Sequence, residues 1–212
     1  MDIKIYFFND LRTCCYVVWD DTRECVIIDP GCQSDSERSR MKKFIDENEL
    51  NPVKLLNTHG HFDHVMGNRF ITDTWGVKTY LHKDDNAQLA RAVPYCEYFG
   101  YKMDPPDMDT IAIKDGELIL FGNSRLRVMH TPGHTMGCVC FVSESDKVIF
   151  TGDTLFAGGI GRTDLPGGDF DLLMESLSDK VLKLDSDYRV LPGHGPETTI
   201  GKEIMTNPFL KF

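Results

Sequence analysis

The chain has 212 residues, 41% hydrophobic and 26% charged, which suits a soluble globular protein of one large or two small domains with a substantial core. Its net charge of −10 argues against a nucleic-acid partner, because a phosphate backbone requires a basic footprint. The N-terminus lacks a basic region followed by an apolar core, and no apolar run reaches membrane-spanning length, so neither a signal peptide nor a membrane partner is expected.

In chain order, Ile3 to Phe8 and Cys14 to Trp19 are short runs rich in β-branched and aromatic residues and predict strands. Asp20 to Arg23 is a polar turn, Glu24 to Ile28 the returning strand, and Asp29-Pro30-Gly31 a sharp break with a carboxylate at its tip. Ser36 to Leu50 places Met41, Phe44, Ile45 and Leu50 among charges, the pattern of a one-faced surface helix. A strand is predicted over Val53 to Asn57, a short helix over Val65 to Thr74 stopped near Gly76, and a strand over Val77 to His82. Asp84 to Phe99 reads as a helix that Pro94 should break or kink. Tyr101 to Asp107, with its Pro105-Pro106 pair, reads as an exposed loop or lid. Strands return at Glu117 to Phe121, Leu126 to His130, Cys138 to Val142 and Val148 to Phe150, followed by a helix over Phe170 to Leu184, a strand over Tyr188 to Leu191 and a short helix over Ile200 to Thr206. Two β-rich halves with helices suit an α/β fold of two sheets with helices on the outer faces, and the lack of repeats or linkers predicts a single domain over 1–212. The cysteines are odd in number, lack any CxxC pair and lie largely in apolar runs, so they read as reduced cytoplasmic thiols rather than as a zinc–thiolate site.

The densest chemistry is in Asn57-Thr58-His59-Gly60-His61-Phe62-Asp63-His64, directly after an apolar strand. Imidazole and carboxylate are ligands for zinc and for iron or manganese. Residues i and i+2 point to one side only of an extended segment, so His59 and His61 can share a metal from a strand end or loop, with Gly60 allowing the turn between them. Asp63 and His64 project one step further, far enough to serve a second metal. Three later breaks repeat the device of a strand, a glycine-containing bend and one ligand-type residue: His134 after Thr131-Pro132-Gly133, Asp153 after Thr151-Gly152, and His194 after Pro192-Gly193. His130 is read as a core or supporting hydrogen-bonding residue and His82 as a cap for the helix that follows it.

The set His59-x-His61-x-Asp63-His64, then His134, Asp153 and His194, with Asp29 upstream, resembles the ordered motifs of the metallo-β-lactamase superfamily across nearly the whole chain. Within it, the run from Gly152 to Asp169 and the ending Pro192-Gly193-His194-Gly195-Pro196 are similar to short, single-domain, glyoxalase II-like (hydroxyacylglutathione hydrolase-like) bacterial hydrolases. The resemblance implies a four-layer αββα sandwich. It implies one metal on His59, His61 and His134, a second on Asp63, His64 and His194, Asp153 bridging, and Asp29 in support. Zinc is the first expectation for the two divalent ions, with iron or manganese accepted by the same donors. The implied reaction is attack of a metal-bridging hydroxide on a small-molecule thioester, S-lactoylglutathione or a related 2-hydroxyacyl thioester, with Asp63 and Asp153 as the catalytic carboxylates. No GxSxG nucleophile elbow is present.

Arg162 falls where such enzymes carry a basic substrate-binding residue, and Lys202 is a weaker candidate for that role; pairing of Arg162 with Asp164 or Asp169 is the structural alternative. The chain ends soon after His194, so the C-terminal helical domain of long glyoxalase II enzymes is expected to be missing. Two tyrosines of the long form are replaced by Pro196 and Asp164, which puts recognition of glutathione itself in question. The region Tyr95 to Asp107 is a source of substitute contacts or of helix packing. Rival readings are a mononuclear-iron persulfide dioxygenase, a non-catalytic binding module, and a lactonase on the same fold. Metal identity, thiol carrier and oligomeric state are left open by the residues.

Overall fold

Alternation and β-branching in the first thirty residues produce an antiparallel meander, β1 (Asp2–Phe8), β2 (Thr13–Trp19) and β3 (Glu24–Ile28), in the computed structural model, which describes residues 1–211. The chain then continues through α1 (Asp35–Glu47), β4 (Asn51–Leu56), α2 (Phe62–Val65), α3 (Asn68–Trp75), β5 (Thr79–His82), α4 (Asn86–Tyr98) and β6 (Ile111–Ile113). The six strands form one sheet in simple sequential order, with β3, β4 and β5 mutually parallel. A second six-stranded sheet has the order β14-β13-β10-β9-β8-β7, built from β7 (Leu118–Phe121), β8 (Ser124–His130), β9 (Val139–Ser143), β10 (Val148–Gly152), β13 (Arg189–Pro192) and β14 (Thr198–Thr199). The hairpin β11 (Leu155–Phe156) and β12 (Gly159–Ile160), α5 (Phe170–Asp179) and α6 (Ile200–Thr206) complete it. Contacts divide the chain into two compact units, the first being Met1–Ala112 with Leu120–Arg125 and the second the rest of the described chain.

Each unit has its own core. In the first, Met41 and Ile45 of α1 and Ile71 of α3 pack on Tyr6, Phe8, Val17, Ile27 and Leu55 of the sheet. Each such fully buried aliphatic side chain contributes about 1.5–3 kcal/mol. In the second, Leu173 and Leu177 of α5 and Ile200 of α6 pack on Val142, Ile149 and Val190. All seven cysteines are buried and no disulfide occurs among the described residues. No helix is long and apolar enough to cross a membrane among the described residues.

Most elements fall where the patterns place them, and the departures have local causes. α1 starts at a Ser34–Glu37 capping box and stops three residues before Leu50 because Glu49 takes φ +52, a left-handed stop that no glycine announces. The helix expected over Val65 to Thr74 is split, because the Gly67 N–H turns aside to the Pro30 carbonyl at 2.7 Å. A Cβ on Gly67 would collide with Cys32 Sγ, so the residue permits that close approach. α4 continues through Pro94, and His82 caps the 3₁₀ turn before it by accepting the Asp84 N–H. The segment after α4 is irregular, as its prolines require, but it is not uniformly exposed: Tyr101 and Met103 pack on the cluster around Phe62. α5 ends at Asp179 and gives way to a 3₁₀ turn at Val181–Lys183. β6, β11, β12 and β14 are two or three residues long and carry no readable period.

Asp20 fastens the β7–β8 hairpin tip within the first unit. Its Oδ2 accepts the Asn123 N–H at 2.7 Å and the Ser124 hydroxyl at 2.8 Å, while Oδ1 accepts from Thr22. Burial pushes this carboxyl up, but the hydrogen bonds from Thr22, Ser124 and Asn123 outweigh it and hold it at about 2. A depressed carboxylate adds stability above its ordinary range and loses it as the acid form appears, between about pH 4 and about pH 2. Chemical denaturation across that window should therefore show the wild type losing more stability than Asp20→Ala. Parallel losses would remove Asp20 from the account.

Candidate metal centre

The first group of ligand-type residues sits at the carboxyl ends of the parallel strands β3 and β4, where open α/β sheets place ligands. β3 ends on Asp29, held at φ +49, a backbone state that Asp tolerates better than most residues. Its carboxylate is buried and fully engaged: Oδ1 accepts the Thr58 N–H at 2.8 Å, and Oδ2 accepts the Thr58 hydroxyl at 2.6 Å and His64 Nδ1 at 3.1 Å. These bonds clamp the segment leaving β4. The Thr58 hydroxyl has given its proton to Asp29, so at its 3.0 Å contact with His59 Nδ1 it must accept. In the neutral rings of His59 and His64, Nδ1 therefore carries the hydrogen and Nε2 the lone pair.

His61 lies beside His59, ring centroids 4.7 Å apart, and His64 is 4.2 Å from His59 on the same measure. Asp63 Oδ2 accepts the Thr13 hydroxyl at 2.9 Å and stands 3.4 Å from His64 Nε2. Asp29, His59 and His64 offer ligand atoms within 4.8 Å of one another, but Asp29 is engaged by Thr58 and His64 and acts as a brace. Gly60 does not take a positive φ. The expected tight turn is not its reason; a Cβ there would stand 2.8 Å from Leu89 N and 2.9 Å from Gln88 Cβ. Glycine is needed for the close approach of α4.

The second group comes from β8, β10 and β13. β9 is antiparallel to both β8 and β10, and β13 is parallel to β10, so all three strands run in one direction and release their loops at one end of the sheet. His134 follows β8, Asp153 follows β10 and His194 follows β13. Asp153 Oδ2 is 3.6 Å from His134 Nε2 and 3.7 Å from His194 Nε2. The Gly193 N–H donates to the Gly152 carbonyl at 2.7 Å, tying the last two loops together. His134 Nδ1 is 2.7 Å from the Arg162 carbonyl, which can only accept, so this ring too carries its lone pair on Nε2. The Arg162 loop passes tightly over the site: a Cβ on Gly161 would overlap the Asp153 carbonyl.

Within the first unit the fold thus brings together Asp29, His59, His61, Asp63 and His64, and within the second His134, Asp153 and His194. The Arg162 side chain forks onto Asp164, Nε and Nη2 each donating at 2.7 Å, on the exposed surface. Lys202 is exposed on α6, and its backbone N–H caps on Thr199. Thr13, Thr58 and the Arg162 carbonyl were not singled out from the sequence. Thr58 had a signal, its place directly before His59, whereas the other two are joined to their partners only by folding. The His and Asp donors and their tautomers suit divalent cations.

The model of the metallo-beta-lactamase superfamily matches residues 9–194. The hydroxyacylglutathione hydrolase GloC of Haemophilus influenzae is 38% identical, covering 99% of this chain and 98% of that protein. A probable metallo-hydrolase of Bacillus subtilis, YqgX, is 36% identical over 92% of this chain and 90% of its own. Among solved structures, TTHA1623 in a di-iron-bound form matches with a TM-score of 0.89 at 35% identity, covering 98% of this chain and all of that one. The BLEG-1 B3 metallo-beta-lactamase matches with a TM-score of 0.88 at 35% identity over the whole of both chains. ETHE1 from Myxococcus xanthus, 23% identical with a TM-score of 0.80 over 98% of this chain and 84% of that one, shares the fold. Agreement of family model, full-length relatives and whole-chain structural matches makes this chain a member of the metallo-β-lactamase superfamily and a metal-dependent hydrolase.

Proposed function

We propose that the two groups close into one binuclear centre within a single catalytic domain and that the enzyme cleaves a small-molecule thioester, S-lactoylglutathione or a related 2-hydroxyacyl thioester. His59, His61 and His134 would hold one divalent ion, and Asp63, His64 and His194 the other, with Asp153 shared. The observation that carries this reading is the common tautomer of His59, His64 and His134, each with Nδ1 spent as a donor and Nε2 as the lone-pair nitrogen. The name of the Haemophilus relative supports the substrate class, and the di-iron neighbour supports two metals. Zinc, iron and manganese all suit these donors.

A bound divalent ion supplies Lewis acidity and lowers the pKa of water to roughly 7. The chain's own residues do the rest. Asp63, steadied by the Thr13 hydroxyl, and Asp153, close to His134, would supply the negative charge that offsets the cations and would orient the attacking water. A cysteine nucleophile is disfavoured, because burial pushes Cys25 and Cys32 up to about 12 and Cys96 and Cys140 up to about 11. Buried thiols without disulfides suit a reducing cytoplasm.

Arg162 would bind a substrate carboxylate by exchanging Asp164 for it, a fork-for-fork substitution. Arg162→Ala should raise KM about 10-fold with kcat unchanged, the size of one charge-assisted pair. Asp164→Asn should lower KM. If neither KM moves, the pair is structural.

The test of the main reading is metal analysis of purified protein together with S-lactoylglutathione hydrolysis, before and after chelation, with His59→Ala as control. Two metals per chain, and turnover lost on chelation and in the variant, are expected. One iron, no thioester cleavage and oxygen uptake with glutathione persulfide would replace the hydrolase by a dioxygenase.

A further inference from the structure

We infer that Asp85 is a positioning residue for His59 and His61, an inference that rests on those two histidines binding metal. Asp85 stands at the start of α4, the place from which an aspartate ordinarily caps the first turn of its own helix. Its side chain makes no such cap. The carboxylate is wholly buried, and Oδ2 instead accepts the Gly60 N–H at 2.7 Å, reaching back 25 residues to the one position between the two histidines.

The packing around that bond is tight. A Cβ on Gly60 would stand 2.8 Å from Leu89 N and 3.0 Å from the Asp85 carbonyl, so the His59-Gly60-His61 segment lies directly against the first turns of α4. Phe62, the next residue but one, is anchored on the same helix with Leu89, Ala92 and Cys96. One side of the segment is thus held by the Thr58–Asp29 bonds and the other by Asp85. A buried carboxylate is costly unless something offsets it. A helix start would be served better by an ordinary cap. Its bond to Gly60 sets the spacing of the two rings, and its charge favours cations beside them.

The experiment measures zinc affinity by competition with a chromophoric chelator, and the ligand-field spectrum of the cobalt(II) form, for the wild type, Asp85→Ala, Asp85→Asn and the surface control Asp73→Asn, with thermal midpoints recorded alongside. Supporting partners of metal ligands are worth about 10–100-fold in affinity. Asp85→Ala should fall toward the upper end of that range with an altered cobalt spectrum. Asp85→Asn keeps an acceptor for Gly60 but loses the charge, and should fall by about 10-fold. Asp73→Asn should match the wild type. A folded Asp85→Ala with wild-type affinity and spectrum overturns the inference, as does a lowered midpoint with both metal readouts unchanged. Should the alanine variant not fold, wild-type affinity in Asp85→Asn overturns it. A wild type that takes up neither metal removes the metal reading itself, and this inference with it.

Discussion

Asp153→Ala should lower kcat/KM for S-lactoylglutathione by about 10²–10³-fold. Losing a partner that only supports a ligand costs about 10–100-fold, and losing a group aimed at reacting charge costs about 10²–10³-fold. Asp153 qualifies for the larger effect because one carboxylate oxygen approaches both His134 Nε2 and His194 Nε2, at 3.6 and 3.7 Å. Among the described residues of the second unit, the loops after β8 and β13 each contribute a histidine to the group and the loop after β10 contributes the carboxylate. The Gly161 backbone crosses that of Asp153 so closely that a Cβ on Gly161 would overlap the Asp153 carbonyl. Thermal stability should change little by comparison, since the loops are tied through the backbone, as in the Gly193–Gly152 bond. Asp153→Asn keeps the volume and loses the charge; if the effect is electrostatic, it should fall nearly as far as alanine. A kcat/KM within about threefold of wild type in either variant would remove Asp153 from the chemistry.

Asp29→Asn should weaken metal binding while leaving the fold in place. The Asp29 carboxylate is an acceptor only, so the Thr58 N–H, the Thr58 hydroxyl and His64 Nδ1 must all donate to it. An asparagine of the same shape keeps one acceptor oxygen and turns an NH₂ toward the others. Facing that donor, His64 Nδ1 becomes the acceptor and its proton moves to Nε2; the Thr58 hydroxyl, now accepting from the amide, can donate to His59 Nδ1 and move that ring's proton as well, so the nitrogens needed for metal are blocked in both rings. The expected loss is about 10–100-fold in metal affinity, read by competition with a chromophoric chelator. Asp29→Ala should also destabilise the fold, by about 2–4 kcal/mol, because the buried Thr58 and His64 donors lose their partner. Wild-type metal affinity in Asp29→Asn would mean that the His59 and His64 tautomers are set elsewhere.

These two residues also mark the limit of what the amino-acid pattern discloses. As candidate ligands, His59, His61, Asp63, His64, His134, Asp153 and His194 stood out because ligand-type side chains recur after apolar strands at glycine-containing bends. Strand identity was legible through β-branching and alternation, and the end of α3 through Gly76. The stop of α1 at Glu49 and the split at Gly67 were not, because neither depends on local propensity: one is a left-handed non-glycine residue and the other a bond to Pro30. Arg162 could be singled out as a basic residue with Asp164 or Asp169 as a pairing partner, but not as the source of a carbonyl that orients His134.

Taken alone, the sequence determined the kind of chemistry, the superfamily and the residues from which a metal centre can be built, since each is written in residue type and short spacing. Only the tertiary structure decided which ring nitrogen of His59, His64 and His134 carries the lone pair, which groups Asp29 holds, and that Asp85 grips Gly60. Each of these depends on a hydrogen bond between groups 25 to 35 residues apart, or on the exchange of one hydroxyl proton. Such pairings follow from how strands and helices are packed, and a hydrogen bond's direction is set by the acceptor that packing delivers.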